Sequence, residues 1–338
     1  MSALNDILDR VRGMEPEKVL GLRPPYPPVV LQVRPGEAAL VRLRRRRRGR
    51  PLLEAHQEGP LPEACIPTSI FQSSSGGTEE LVGPLRDLFD RSGTRPGKIS
   101  LILPDNLAKV SLLTLPERPA SRRHLDELVR AKMRRGVPFK LEEARISYQL
   151  LPGDGRGASV LVLLVRGSIV ERFETALSAL GARAGLVDIS TPNLVNLYRA
   201  TIAAASKNGG DAALLNCSDN YFSLVIVRNE NLIFFRCKTF AIEDPGARGP
   251  NGILAREVGS SISYYREKLA GTGLGKVLVR TVGIPIEEVS EKLAGLDLPD
   301  CEPVAPVQNL DLADQVKLDA ETAQRLAPAI GAALGRGR

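Results

Sequence analysis

Two stretches of this chain, residues 29–104 and 211–282, repeat one plan: three short strands joined by tight turns, an amphipathic helix, then another strand. In the first stretch, VVLQV (29–33), EAALVRL (37–43) and PLLEAH (51–56) have strand length and apolar content, with Pro35-Gly36 as the first turn. The helix ELVGPLRDLFDRSG (80–93), closed by Gly93, and the apolar strand KISLILP (98–104) follow. In the second stretch, DAALLNC (211–217), FSLVIVR (222–228) and NLIFFRCKTF (231–240) precede the loop 243–252, the helix 253–271 and the strand KVLVRTV (276–282). A strand meander leaves sheet faces that a helix must cover. Its recurrence predicts two similar α/β lobes.

The chain between them has another grain. AKVSLLTLP (108–116) reads as a strand, Ser121 as the cap of helix 122–136, and residues 144–151 and 158–165 as a hairpin across GDGRG. A helix (168–181) ends at Gly181, and after AGLVDI (184–189), Thr191 and Pro192 predict one helix over 192–206. The expected organisation is an N-terminal amphipathic helix with a proline-rich linker (1–28), a first lobe (29–106 and 184–208) interrupted by an α/β insertion (107–183), a second lobe (209–318) and a C-terminal helix (319–338) packing on the first lobe. Leu4, Ile7, Leu8 and Val11 give the leading segment its apolar stripe.

Composition excludes several classes of function. The longest apolar run, Val160 to Val165, is far shorter than the roughly 20 residues of a membrane span. The opening residues are too acidic and too weakly apolar for a signal peptide. Four cysteines without a CxxC pair and two distant histidines, His56 and His124, offer neither a zinc set nor a nucleophilic triad, so reduced, mostly buried thiols are expected. GTGLGKV (271–277) imitates a phosphate loop, but it runs from helix to strand and lacks Ser or Thr after Lys276, so it reads as a helix C-terminal turn. Asp105 and Asp188 follow apolar strands and read as turn or helix-capping residues.

The charge is localised. The formal net charge is +7, and Arg42, Arg44, Arg45, Arg46, Arg47, Arg48 and Arg50 account for all of it. Each basic residue at an acidic membrane surface contributes roughly 1 kcal/mol, so the tract suits anionic lipid; a solvated hairpin tip is the alternative. No aromatic residue lies within the tract to stack on bases, which disfavours nucleic acid.

The duplicated plan resembles the actin-like ATPase superfold, in which duplicated ribonuclease H-like units clasp a nucleotide. LILPDNLAKVSLLTLP (101–116), RAKMRRGVPFKLEEARISYQLL (130–151), GARAGLVDISTPNLVNLYRA (181–200), EVGSSISYYRE (257–267) and APAIGAALGR (327–336) are similar, in order, to segments of the PilM-like type IV pilus assembly proteins, relatives of FtsA. The resemblance implies an α/β, actin-like two-lobed fold with an inserted α/β subdomain. It also implies a cytoplasmic scaffold of the inner-membrane pilus platform, whose partner is the N-terminal peptide of a PilN-like membrane protein held beside the insertion, with helices 122–136 and 168–181 as walls.

Where such proteins clamp phosphate with an Asp-Ile-Gly turn, this chain has Gln32 for the acid and Arg34 for the glycine. The second clamp aligns with Asn216, Cys217, Ser218, Asp219, Asn220, Tyr221 and Phe222, and the adenosine motif keeps only Gly283. Between Arg236 and Ile253 there is only a loop where the family has helices over the nucleotide. These departures lead to the expectation of a pseudo-ATPase without cofactor. The alternative is an ATP- and Mg²⁺-binding protein of a pilus or type II secretion platform, with Ser218, Asp219 and Gly283 retaining contacts.

Overall fold

Both meanders are present in a computed structural model, which describes residues 26–72, 76–134, 136–137, 139–151, 157–207, 210–218, 220–239 and 252–335. In the first lobe β1 (Val29–Arg34), β2 (Glu37–Arg44) and β3 (Leu52–Pro60) pair antiparallel, α1 (Glu79–Ser92) crosses over, and β4 (Lys98–Leu103) returns parallel to β1. Gly93 ends α1 in the left-handed region with φ 59°, as its position in the sequence predicts. The insertion contributes β5 (Ala108–Leu115), α2 (Arg122–Met133), β6 (Ala144–Leu151), β7 (Ala158–Arg166) and α3 (Gly167–Ala179) before β8 (Arg183–Ile189) rejoins the first sheet beside β4.

Two helices, α4 (Ser190–Leu197) and α5 (Arg199–Lys207), lead to the second lobe. There β9 (Asp211–Ser218), β10 (Tyr221–Arg228) and β11 (Asn231–Thr239) form the meander, α6 (Ile253–Lys268) crosses, and β12 (Leu274–Thr281) lies parallel to β9. The chain finishes with α7 (Ile286–Leu293), β13 (Cys301–Pro303), β14 (Asp311–Leu312) and α8 (Ala320–Leu334). The sheets run β14-β3-β2-β1-β4-β8, β11-β10-β9-β12-β13 and β5-β7-β6. The expected leading helix, 2–13, and nearly all of the loop 243–252 lie outside the described residues.

The layers alternate helix, sheet, helix, sheet, helix. Leu81, Leu85 and Leu88 of α1 and Phe173 of α3 cover the outer face of the first sheet. Val258 and Ile262 of α6, with Val289 of α7, cover that of the second. Between the sheets, Leu194 and Ile330 from α4 and α8 join Val30 and Val41 of one lobe to Leu214 and Val225 of the other in one core. Covered on both faces, β9 buries every residue, which explains its apolar run Ala212–Leu215. In the third sheet the period is two: Val160, Val162 and Leu164 of β7 turn inward to Leu125, Val129 and Met133 of α2. Ser121 caps α2 by accepting the His124 amide at 3.1 Å.

One expected helix is two. The segment after β8 breaks at Tyr198, and Thr191 lies inside the first turn of α4 rather than at its cap. The hydroxyl of Thr191 is occupied elsewhere, by Asp105. The junction between α4 and α8 depends on the absence of a side chain, since a Cβ on Gly331 would stand 2.0 Å from the Asn193 carbonyl oxygen. Gly331→Ala gains up to about 1 kcal/mol of helix propensity, but it drives backbone against backbone. The expected net result is a loss of about 1–3 kcal/mol, measured as a lower midpoint in urea unfolding.

Candidate functional site

The centre of the molecule is a polar seam that begins with a defect in α8. Pro328 has no N–H, so it cannot bond the carbonyl of Gln324 one turn earlier. That carbonyl instead accepts Arg280 Nε of β12 at 2.7 Å. The next pair is opened too: Ala329 donates its amide to Gln32 Oε1 at 3.0 Å, and the Arg325 carbonyl accepts Gln32 Nε2 at 2.8 Å and Arg280 Nη2 at 3.0 Å. Both ends of one β1 side chain are thus inserted into the helix ladder.

Within the second lobe the same guanidinium donates through Nη1 to Asn216 Oδ1 of β9 at 2.7 Å. The Asn216 amide donates in turn to Asp105 Oδ2 at 3.1 Å and Thr191 Oγ1 at 3.0 Å, and Asp105 Oδ1 accepts the Thr191 amide at 2.9 Å. Gln32, Asp105, Thr191, Asn216 and Arg280 are all buried. Burial pushes the Asp105 carboxyl up from its usual range, against the hydrogen bonds from Thr191, Ser223 and Asn216 that pull it down. Asp105 therefore does cap a helix, but one 86 residues further along the chain. Burial likewise pushes the Cys217 thiol, between these residues and the outer core, up to about 12, which leaves it an inert core group.

Of the expected nucleotide residues, Ser218 is buried at the end of β9 and Gly283, with φ 72°, follows β12 at the same edge of the sheet. Asp219 lies outside the described residues. Gly283 lines an open cavity of about 510 Å³ with Ile284, Glu321, Gln324 and Arg325, and Ser218 is not part of its wall. Lys276, from the loop that imitates a phosphate-binding turn, is bound to Glu302 at 2.7 Å.

The arginine tract separates into two sets. Arg42 and Arg44 pair with Glu54 at 3.3 and 2.9 Å, and Arg46 pairs with Asp311 at 2.6 Å. Arg45 donates to the carbonyls of Ala333 and Gly335 at 2.6 and 2.7 Å, closing the C-terminus of α8, and to that of Tyr26 at 3.1 Å. The Tyr26 amide itself bonds the Gly335 carbonyl at 3.2 Å. Arg47, Arg48 and Arg50, at the turn, have no ion pair with any described residue.

Beside this seam runs a trough that the sequence did not disclose. β6 and β8 are each bonded on one side only among the described residues, and both flank it. Two cavities, of about 220 and 180 Å³, share Ser147, Leu163, Val187 and Asp188 and so form one channel. Its wider end is lined by Tyr26, Val195, Val227, Leu232 and Phe235, which brings α4 and the second lobe to the insertion. Helices α2 and α3, the expected walls, enter differently: α3 supplies Val170 and Glu174 at the narrow end, and α2 lines neither cavity. The groove therefore forms between open strand edges, and non-local placement of that kind leaves no motif in the sequence.

No protein-family model matches the sequence, and no curated protein matches it. Among solved structures, one chain of a PilM–PilN type IV pilus biogenesis complex superposes with a TM-score of 0.72 at 18% identity, covering 93% of this chain and 98% of that one. A Bacteroides thetaiotaomicron protein of actin-like ATPase fold and unknown function (TM-score 0.48, 8% identity, 88% and 93% covered) is also similar. So is the cytoplasmic domain of EpsL, an inner membrane component of the type II secretion system of Vibrio cholerae (0.46, 9%, 91% and 95%). The fold is the actin-like α/β fold, in the form adopted by the chain of the PilM–PilN complex.

Removing the seam's side chains has graded costs. Gln32→Ala leaves the Ala329 amide buried without an acceptor and should lose about 1–3 kcal/mol of stability. Arg280→Met strips donors from two helix carbonyls and from Asn216, and should cost more than Gln32→Ala. Urea unfolding of the two variants against the parent measures both losses.

Proposed function

We propose that this protein is a cytoplasmic scaffold of a type IV pilus or related secretion platform at the inner face of the inner membrane. It holds a short N-terminal peptide of a PilN-like membrane protein in the trough between β6 and β8, and it does so without nucleotide. The observation that carries the reading is the trough itself: an apolar channel between two open strand edges, in a fold shared over 93% of the chain with a member of the PilM–PilN complex. An extended peptide bonds such an edge through its backbone and fills the floor with alternate side chains.

The nucleotide-free reading is supported by the seam. Gln32 and Asn216 stand where the phosphate turns of the resembled family carry acids, and both are fully engaged with α8 and Arg280. A guanidinium already occupies the region between them. The open cavity at Gly283 favours the competing reading, an ATP-binding protein, to the extent that it has room for a base. No helix among the described residues is long and apolar enough to cross a membrane. Contact with lipid falls to Arg47, Arg48 and Arg50, each contributing roughly 1 kcal/mol at an acidic surface.

Two measurements test this. Millimolar Mg-ATP should leave the melting temperature unchanged, whereas a ligand at 100 times its dissociation constant adds about 2.7 kcal/mol. A clear rise would restore the ATP-binding alternative. In calorimetric titration, the N-terminal peptide of a PilN-like single-span membrane protein should bind. Val195→Arg, in the half-buried trough wall, should weaken that binding at least tenfold while unfolding at a similar temperature; undiminished binding would place the peptide elsewhere.

A further inference from the structure

The trough is apolar along most of its length, but the junction of its two cavities is not. Asp188 lines both cavities at the point where they join, opposite Ser147 of β6. Its carboxylate accepts the amide of Ile189 at 2.8 Å, and it has no ion pair with any described residue. The other trough acids are different. At one end Glu174 is paired with Arg145 at 3.2 Å, and at the other Glu230 is paired with Arg199 at 3.0 Å. These end pairs are exposed and locally neutral. Of the trough's acids, Asp188 is the one without a cation among the described residues, and it lies half-buried between apolar walls.

A segment laid in the trough covers this half-buried carboxylate, and desolvating it without a cation is costly, so a ligand that supplies the cation avoids that cost. We propose that the trough selects a basic side chain: a partner segment lying between β6 and β8 places a Lys or Arg against Asp188, and Asp188 is the specificity-determining residue of the groove. This rests on the reading of the trough as a peptide site and adds the chemistry of the peptide. An apolar segment with one embedded positive charge fits the trough. A wholly apolar segment leaves Asp188 buried and unpaired, and an acidic one is repelled.

The pH behaviour follows from the same geometry. Burial pushes the Asp188 carboxyl up to about 6, opposed by hydrogen bonds from Ile189 and Asn193 and reinforced by the nearby Asp105. The other groups facing the trough are Arg145 and Tyr148 of β6, Glu174 of α3, Glu230 of the β10–β11 turn with its partner Arg199, and Tyr26. A cation binds the ionised carboxylate. Affinity for a basic peptide therefore rises as pH increases through about 6 and falls below it.

The test uses acetylated octapeptides of Val, Leu, Ile and Ala in which one guest position, moved along the chain, is Arg, Lys, citrulline, Ala or Glu. Binding to the full chain is measured by fluorescence polarisation. At one guest position Arg and Lys should bind at least tenfold more tightly than citrulline or Ala. That preference and its pH dependence should disappear in Asp188→Asn, which keeps an oxygen for the Ile189 amide and so preserves the local fold. In Asp188→Lys the preference should reverse toward the Glu guest. Melting temperatures near the parent value confirm that both variants are folded. Equal affinity for all guests, or a basic preference that survives Asp188→Asn, overturns the inference and leaves the trough standing as a peptide site. Failure of every octapeptide to bind overturns both readings. A concentration-dependent dimer that Asp188→Asn abolishes assigns the junction to a second copy of this chain, and also overturns the proposal.

Discussion

Arg280 and Gln32 are where the two lobes become one molecule. A proline inside α8 removes one backbone donor and leaves the Gln324 and Arg325 carbonyls, on half-buried residues, without their helical partners. The side chains that satisfy them come from opposite directions, Gln32 from the first sheet and Arg280 from the second. The helix is therefore bonded simultaneously to both lobes through its own backbone. Asn216, Asp105 and Thr191 continue the chain of hydrogen bonds into the second sheet and back to α4. The members of such a network support one another, so losing one weakens the others.

This arrangement bears on the chemistry of the cleft. Nucleotide clamps need backbone and small polar groups left uncommitted so that phosphate can complete them. Here the corresponding side chains are committed to one another. The trough shows the opposite condition. Its strand edges and its central carboxylate are left open. The polar side chains of one region are bonded to one another, while the trough offers strand edges that lack partners among the described residues.

Local order was legible in the sequence wherever it depended on neighbours in the chain. The alternation in β7, the turn at Pro35-Gly36, the cap at Ser121 and the stop at Gly93 each follow from a few adjacent residues, and the repeated meander was enough to indicate two α/β lobes. What escaped depends on residues far apart. Pro328 is visible as a helix defect, but nothing local says that Gln32 and Arg280 repair it. Thr191 looks like a cap until Asp105 is found against it, 86 residues earlier. The division of the arginine tract was hidden for the same reason, because Arg45 and Arg46 find their partners on α8 and β14. Asp188 read as a turn residue, and only the approach of β6 makes it part of a groove.

The contact among Tyr26, Arg45 and Gly335 has a consequence for how the molecule can be handled. The first and last described residues are joined backbone to backbone, with one guanidinium bridging both. Residues 26 and 335 thus stand at one spot, beside Arg45 and at the mouth of the trough. The topology is therefore nearly a closed loop. A short linker across that spot, with new termini opened in an exposed turn elsewhere, gives a circular permutant with the same core.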